Sequence, residues 1–405
     1  MPPASRLTRI LNQALPLIIM PGVAYFSCKK SLKAEPIKLP VLQLSVSPFL
    51  DTEVKNSKNL TIEAVVPKKE RLVTRLIREV AQELDLELRT KSGDWIIILT
   101  NPKTAENRFI WGYSFDLNSQ AVSKLCDDKT ALSEVLAELK IPHIEHKIFL
   151  NPMLSGWSPE AGVFPALFKY AELYNNDLVL KSKEGSGGTS VFHCQTKREI
   201  EAAALHLFTK DYALAAGPFK KIDAEYRVVM LDGEAKLIFR KDRPTLIGDG
   251  EKTVRELCIA QLMTSPAGLD LLLSDSFTIK LDLLDQVPSA GEIVPILWKH
   301  NLGSGARASV NIDPEIKSSV QALAIKAAKS IGVRFASIDI VKTDGELMIM
   351  EINSGVMMEK APAFIPGGRE IAKEIYKEAI CKMFSIRPSP TRARTMEHDD
   401  SSLTK

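Results

Sequence analysis

The sequence predicts a mixed α/β (α+β) fold in which β-hairpins lie among amphipathic helices. Two apolar runs joined by a polar turn predict one hairpin over residues 335–355. A second hairpin is predicted over residues 226–240. Apolar residues at helical spacing predict helices over residues 68–84 and 314–331. Strands and helices of this length alternate along most of the chain, which is typical of a globular α/β protein.

Composition places the chain among ordinary globular enzymes. It has 405 residues, of which 45% are hydrophobic and 25% charged, enough for two or three packed units. The net charge of +3 is small for this length and does not indicate a nucleic-acid partner. The five cysteines are scattered and lack CxxC spacing, which argues against a disulfide framework and a structural zinc site. A reducing, cytoplasmic setting is therefore expected.

The N-terminal segment has a composition of its own. Residues 1–34 contain basic residues but no acid, around an apolar run over residues 14–26. That run is broken by prolines and is shorter than the roughly 20 residues that span a membrane, so no stable span is expected. A signal-peptide core, an organelle presequence, a membrane-surface anchor and a plain extension remain open. With the proline-containing linker that follows, residues 1–60 form an N-terminal extension.

A small α/β lead-in domain is expected next, over residues 61–126. Its helix has apolar residues at helical spacing, and three short strands and a second short helix follow it. The strands are predicted at residues 87–89, 94–99 and 108–113, and the second helix at residues 118–126.

A glycine-rich loop follows a compact apolar strand at residues 177–181. The strand ends on Lys181, and Gly185, Gly187 and Gly188 lie in the loop that follows. Glycine lets a backbone approach a polyanion closely and direct its N–H groups at phosphate oxygens. The spacing matches neither GxxxxGK[ST] nor GxGxxG, so a plain flexible hairpin loop is the alternative.

Isolated acids lie on the apolar strands of the hairpin at residues 335–355. Asp339 lies between two isoleucines, and Glu351 and Asn353 follow an apolar run on the second strand. Oxygen ligands of this kind suit Mg²⁺, which typically binds one or two carboxylates together with nucleotide phosphates. The alternative is that Asp339 and Glu351 only pair with Lys or Arg at a sheet edge.

These pieces together resemble an ATP-grasp ligase, similar in layout to D-alanine ligases, cyanophycin synthetase and the glutamate ligases that modify ribosomal protein. The resemblance covers about residues 118–384, and its motifs occur in the family's order. They are Asp128-Lys129, Leu178-Val-Leu-Lys181, Glu184-Gly-Ser-Gly-Gly-Thr189, Ala224-Glu-Tyr-Arg227, Gly248-Asp-Gly250 through Arg255-Glu-Leu257, Asn301-Leu-Gly-Ser-Gly305, and Asp339 with Glu351 and Asn353.

The resemblance implies two α+β subdomains that clasp ATP, at residues 127–222 and 223–386, followed by a polar tail at residues 387–405. It assigns metal binding to Asp339, Glu351 and Asn353. ATP binding is assigned to Lys129, Lys181, Glu184, Gly185, Ser186, Gly187, Gly188, Thr189 and Glu225. Position 337, where D-alanine ligases carry an arginine, is Ser337, so Arg240 and Arg307 are expected to supply the cationic charge at the reaction centre. The adenine-contacting acid of the family is not evident in residues 212–219.

The activity that the resemblance implies is an ATP- and Mg²⁺-dependent ligation of a carboxylate to an amine through an acyl phosphate, with Mn²⁺ as an alternative metal. The substrates would be small molecules, such as an amino acid or peptide. A small-molecule kinase on the same fold and a catalytically silent ATP-binding module are the alternatives. Monomer and homo-oligomer remain open, and an organelle replaces the cytoplasm if residues 1–34 are a presequence.

Overall fold

The computed structural model describes residues 70–157, 164–184, 190–264, 281–295, 300–302 and 305–386. All of them belong to one unit, Pro67–Lys405. Its α-helices and strands, in chain order, are α1 (Leu72–Glu83), β1 (Glu87–Lys91), β2 (Ile96–Thr100), β3 (Asn107–Trp111), β4 (Ser114–Phe115), α2 (Gln120–Asp127), α3 (Lys129–Glu138), β5 (Lys147–Leu150), α4 (Phe164–Glu172), β6 (Leu178–Ser182), β7 (Val191–Cys194), α5 (Lys197–Phe208), β8 (Ala213–Pro218), β9 (Ala224–Leu231), β10 (Glu234–Asp242), β11 (Thr245–Ile247), α6 (Val254–Thr264), α7 (Leu281–Leu284), β12 (Ile293–Pro295), β13 (Arg307–Ser309), α8 (Pro314–Ile331), β14 (Phe335–Thr343), β15 (Glu346–Asn353) and α9 (Gly368–Met383).

The central sheet has five antiparallel strands in the order β13-β10-β9-β14-β15. Successive strand residues point to opposite faces, and both faces of this sheet are covered. Val228 and Ile338 pack with α8 on one face. Val229 and Phe335 pack with α1 and α9 on the other. The central sheet is therefore held between two helical layers, which fixes the side chains at its ends.

A smaller sheet of four antiparallel strands, in the order β5-β8-β6-β7, lies in the preceding part of the chain. Helices α4 and α5 pack on it. Helix α5 begins with a capping box in which Thr196 accepts from the Glu199 N–H while the Glu199 carboxylate accepts from the Thr196 N–H. A capped helix on a buried strand layer gives β6 a fixed position, and β6 carries Lys181.

The lead-in sheet, defined as β1 to β4, is antiparallel and follows sequence order. The apolar face of α1 packs on Ile97, Leu99 and Ile110. The Phe115 ring stacks on Tyr376 at a centroid distance of 5.4 Å and meets Phe335 edge to face at 5.0 Å, which ties this sheet to α9 and to the central sheet. The lead-in sheet thus shares a core with the central sheet and does not form a separate hydrophobic centre.

The predicted mixed fold is confirmed, with small shifts at element ends. Hairpin β9–β10 turns at Asp232 and Gly233, both with positive φ, as the sequence predicts. The main departure is a β-bulge directly after Asp339, where the pairing shifts so that Ile340 faces Ile349. Among the residues that the structure describes, no helix is both long and apolar enough to cross a membrane.

Candidate active site

A cavity of about 730 Å³ lies where the two larger sheets and the lead-in sheet meet. Six of the residues predicted to bind nucleotide or metal line it, although they are far apart in sequence. They are Lys129, Lys181, Glu225, Asp339, Glu351 and Asn353. Their convergence supports a single site, because the predictions were made from separate motifs.

The register of the central sheet explains how the acids come together. Asp339 lies opposite Glu351 on one neighbouring strand and opposite Arg227 on the other. Arg227 in turn lies opposite Phe239 on β10. Side chains directly opposite each other in antiparallel strands point to the same face, so this row forms a continuous line across the sheet. Ser337 and Asn353 form the adjacent pair on β14 and β15.

Four charged residues form a largely buried cluster on this face of the sheet, defined here as the four-charge cluster: Glu225, Arg227, Lys241 and Asp339. Arg227 donates from Nε to Oδ1 of Asp339 at 2.7 Å and from a terminal nitrogen to Oδ2 at 2.6 Å. The Lys241 ammonium lies 2.9 Å from Oδ2 of Asp339 and also donates to Glu225. Two positive and two negative charges balance, which is the condition for burying ions in a protein.

The pKa values of the two acids in the cluster shift in opposite directions. Burial alone would raise the pKa of Asp339, but the charges of Arg227 and Lys241 and their hydrogen bonds outweigh it and lower the pKa to about 2. Burial raises the pKa of Glu225, Lys241 opposes that rise, and repulsion from Asp339 adds to it. Asp339 is therefore the anion that the two cations hold firmly.

Two buried lysines face the acids from the smaller sheet and from α3. Lys181 is the penultimate residue of β6, and burial lowers its pKa to about 8, with Glu351 opposing and Lys129 reinforcing the shift. Lys129 is the first residue of α3, whose N-cap Asp128 accepts hydrogen bonds from two backbone N–H groups. A buried lysine with a depressed pKa beside a second lysine indicates a site for a polyanion, whose negative charge would neutralise both side chains.

The wall of the cavity beside β6 and β8 is apolar and closely packed. Ile144, Val179 and Ile222 line it with the backbone of Gly217. A Cβ at Gly217 would lie 2.2 Å from the Glu145 carbonyl oxygen, so only glycine fits there. Burial is the main cause of the depressed pKa of His146 on the same wall, and it keeps that ring neutral. This end can therefore accept a flat, uncharged ring system.

The residues predicted as metal ligands are compatible with Mg²⁺. Glu351 and Asn353 line the cavity and are partly exposed, so their oxygens are accessible. Asp339 already accepts from Arg227 and Lys241, yet a carboxylate has about four lone-pair positions. Within the described ranges, no three His, Cys, Asp or Glu side chains form a metal site by themselves. The set thus offers the partial shell that Mg²⁺ completes with phosphate oxygens.

Some predicted site residues lie elsewhere. Glu184 is exposed and pairs with Lys183, outside the cavity lining. Arg240 pairs with Asp242 on the far side of β10, and Arg307 is exposed on β13, so neither is among the described residues that line the cavity. The predicted loop residues Gly185, Ser186, Gly187, Gly188 and Thr189 lie outside the described residues.

The cationic residue of β10 that lines the cavity is Lys241, whereas the sequence predicts this role for Arg240. The side chains of Phe239 and Lys241 share one face of β10, and Arg240 points to the other. The alternation was visible in the sequence, but the bulge between Ala235 and Leu237 hid which face is which. Arg227 belongs to the Ala224-Glu-Tyr-Arg227 motif, but the sequence assigns it no role of its own. It lies two residues from Glu225 on the same face of β9.

His300 also lines the cavity, next to the four-charge cluster in which Lys241 lies. Its Nδ1 donates to the Lys241 carbonyl at 2.7 Å, so Nδ1 carries the proton of the neutral ring. Burial lowers the pKa of His300 to about 4. Its Nε2 is buried and has no hydrogen-bond partner among the described residues. The ring is therefore a neutral hydrogen-bond acceptor beside the four-charge cluster.

Comparison with protein families gives a match to this part of the chain. Residues 297–378 match the RimK-like ATP-grasp domain. That stretch contains all three predicted metal ligands and His300.

Two curated proteins resemble a longer stretch. One is the glutathione biosynthesis bifunctional protein GshAB of Streptococcus mutans, 25% identical over 197 residues, which are 45% of this chain and 26% of that protein. The other is GshAB of Enterococcus faecalis, 27% identical over 188 residues, 43% of this chain and 24% of that protein. The chain thus spans about a quarter of the length of these relatives.

Two solved structures are similar at lower identity. A bifunctional glutathione synthetase from Pasteurella multocida is 15% identical, with a TM-score of 0.45, and the match covers 77% of this chain and 45% of that one. D-alanine–D-alanine ligase from Bacillus anthracis is 15% identical, with a TM-score of 0.42 and coverage of 65% and 68%. The domain match and the two sequence matches confirm the predicted resemblance to ATP-grasp ligases.

Proposed function

We propose that the chain joins a carboxylate to an amine at the expense of ATP, through an acyl phosphate. The observation that carries the proposal is that Lys129, Lys181, Glu351 and Asn353 line one cavity with the four-charge cluster. Cations on one side and oxygen ligands on the other suit a nucleotide triphosphate and its metal. The curated relatives are named for glutathione biosynthesis. Ligation is the activity that fits both this name and the groups that line the cavity.

The two lysines bind and orient the phosphates of ATP in this proposal. Lys181 is buried with a depressed pKa, so a polyanion beside it would restore its full charge. Lys129 extends from the first turn of α3, where the positive end of the helix dipole also favours an anion. The apolar wall at Ile144, Val179 and Gly217 receives the adenine ring.

Glu351 and Asn353 would hold Mg²⁺, with Asp339 as a third oxygen donor. The ion would supply positive charge that offsets the negative charge of the phosphates. Asp339 also has a second role, because it fixes Arg227 and Lys241 in the cavity wall. Both cations then lie beside the metal ligands, where they orient the negatively charged substrate.

The reaction balances with these groups alone. A carboxylate oxygen attacks the γ-phosphorus, the bond to the β–γ bridging oxygen breaks, and ADP leaves. The amine then attacks the carbonyl carbon, the bond from that carbon to the phosphate oxygen breaks, and the departing phosphate takes up the proton that the amine loses. Arg227 and Lys241 hold the carboxylate against its repulsion by ATP, and none of the chain's side chains becomes covalently bonded.

The test is a product analysis with the full chain, Mg²⁺-ATP and a pool of amino acids and short peptides. A ligase gives a product whose mass equals two substrates less one water, together with ADP and phosphate. A kinase gives one substrate with an added phosphoryl group, and a silent binding module gives neither. A phosphorylated substrate would replace the ligase proposal with a kinase, and the absence of any product would replace it with a silent binding module.

A further inference from the structure

The cavity has a second end, formed by the lead-in sheet, that the proposed chemistry does not use. Trp95 and Trp111 line it, yet they remain 43% and 63% exposed. Tryptophan rings are large and apolar, and exposing two of them inside one cavity leaves much apolar surface in contact with water. Exposing this surface to water costs free energy, and the cost is removed only when another apolar group covers the rings.

The rings are held in fixed positions. Gly112 adopts φ +62°, and a Cβ there would come within 2.8 Å of the Trp95 ring, so the turn admits the ring only because this residue is glycine. The Arg71 guanidinium lies 4.9 Å from the Trp95 ring centroid and 5.2 Å from that of Tyr113, and donates to the Gly112 carbonyl. A rigid aromatic wall of this kind is typical of a preformed binding site.

The order of contacts along β15 places this wall next to the metal ligands. Ile349 accepts from the Ile144 N–H, at the apolar wall beside β6 and β8. Asn353 follows on the same strand, and three residues later the Val356 N–H donates to the Tyr113 carbonyl at 3.0 Å. Three residues of chain span at most about 10 Å. A small molecule can therefore touch the aromatic wall and the metal ligands together.

The charged groups nearest the wall already have partners. The Glu359 carboxylate accepts from the Leu72 and Val73 N–H groups at the start of α1, at 2.8 and 3.1 Å. Arg71 is engaged by Gly112 and by the two rings. Met357 adds apolar surface to the cavity lining. The chemistry of this end thus favours a flat apolar group over a charged one.

We propose that this end binds the aromatic side group of one of the two substrates, an amino acid or short peptide whose reacting end lies at the metal ligands. The inference rests on the proposed ligase function for the identity of that reacting end, while the aromatic wall itself rests on the geometry of Trp95 and Trp111. Aromatic rings stack face to face with an offset or edge to face, and both arrangements are open at Trp111 because its ring is the more exposed of the two.

The test measures binding in the presence of Mg²⁺-ADP, so it needs no turnover. N-acetyl-L-tryptophan offers only a carboxylate and L-tryptophanamide only an amine, and N-acetylglycine and glycinamide are their counterparts without the ring. At least one tryptophan derivative should bind roughly tenfold more tightly than its glycine counterpart, since stacking and ring burial are together worth at least that factor. Which derivative binds identifies the substrate that the wall receives.

Variants separate the wall from the rest of the fold. Trp111→Ala and Trp95→Ala should remove most of the tenfold difference. Phe109→Ala should keep it, because Phe109 is 52% exposed on the same face of β3 but does not line the cavity. All three should bind Mg²⁺-ADP like the unaltered chain, which also verifies that they fold.

Three results would overturn the inference. In the first, neither tryptophan derivative binds better than its glycine counterpart. In the second, the difference in affinity survives both tryptophan substitutions, and in the third it falls only together with the affinity for Mg²⁺-ADP. Failure of the ligase proposal looks different, because the tryptophan derivative would then bind at the wall and no joined product would form with any substrate pair.

Discussion

Arg227 and Asp339 lie directly opposite each other on β9 and β14 and are joined by two parallel hydrogen bonds of 2.7 and 2.6 Å. Both side chains are largely buried, at 16% and 3% exposure. Asp339 thus pairs with cations, as the alternative interpretation expected of it, but it does so on an inner strand beside the cavity and not at a sheet edge. Asp339 connects the cations of the wall to the predicted metal ligands.

The first prediction concerns the balance of the four-charge cluster. Arg227→Gln leaves a net negative charge and Asp339→Asn a net positive one, whereas the double variant leaves Lys241 paired with Glu225. Each single variant should lose about 3–5 kcal/mol of unfolding free energy, because an uncompensated charge stays buried. The double variant should lose clearly less than the sum. Strictly additive losses in urea unfolding would show that the two charges are not coupled.

The second prediction concerns the pH dependence of nucleotide binding through Lys181. In the free protein its pKa is about 8, and bound phosphates would raise that pKa. Below pH 8 the lysine is already protonated, so affinity is nearly constant; above pH 8 binding must take up a proton, and affinity should fall by up to about tenfold per pH unit. Calorimetric titration of Mg²⁺-ADP at pH 8.5 in buffers of different ionisation enthalpy measures this uptake.

Lys181→Arg is the matched variant for that titration, since arginine stays protonated throughout the range. Its Mg²⁺-ADP affinity should not vary with pH between 7.5 and 9, and its binding heat should not depend on the buffer. Equal proton uptake by the variant and the unaltered chain would assign the titration to another group.

The third prediction separates two neighbouring residues of β10. Lys241 lies in the four-charge cluster, and Arg240 pairs with Asp242 on the opposite face. Lys241→Gln should reduce ATP turnover at least about tenfold, because a cation that holds the substrate carboxylate is lost. Arg240→Gln should change turnover by less than about twofold, since both members of the Arg240–Asp242 pair are about half exposed. The reverse ranking in steady-state kinetics would return the role to Arg240.

The fourth prediction concerns Glu351. Glu351→Gln keeps the size of the side chain but removes the charge, so ATP turnover should fall at least about a hundredfold while the melting temperature stays unchanged. Glu346→Gln is the control, because Glu346 is exposed at the start of the same strand. Turnover of Glu351→Gln near that of the control would remove the metal role from Glu351.

How far the sequence predicts this site can be traced residue by residue. An acid between isoleucines, as at Asp339, has no stable place in a buried strand without a partner, so its importance was readable. Its partner Arg227 lies 112 positions away, and only the register of β9 on β14 brings them together. The bulge in β10 shifts the faces of that strand locally, so the sequence pattern alone does not show that Lys241, and not Arg240, faces the cavity.

The aromatic wall shows the same limit. Trp95 and Trp111 fall in predicted strands, where a tryptophan usually packs in a core. The lead-in sheet meets the end of β15 through a backbone hydrogen bond between Val356 and Tyr113, a contact between distant parts of the sequence that local pattern does not show. Local pattern predicts elements well, whereas contacts between distant elements decide which face meets a cavity.

The most direct test of the central claim is isotope transfer from the substrate carboxylate. A carboxylate substrate identified in the product analysis is labelled with ¹⁸O and incubated with the full chain, Mg²⁺-ATP and its amine. The acyl phosphate route predicts one ¹⁸O atom in each phosphate released, because the carboxylate oxygen that attacks phosphorus leaves with it. Phosphate without ¹⁸O during productive amide formation would contradict the proposed mechanism.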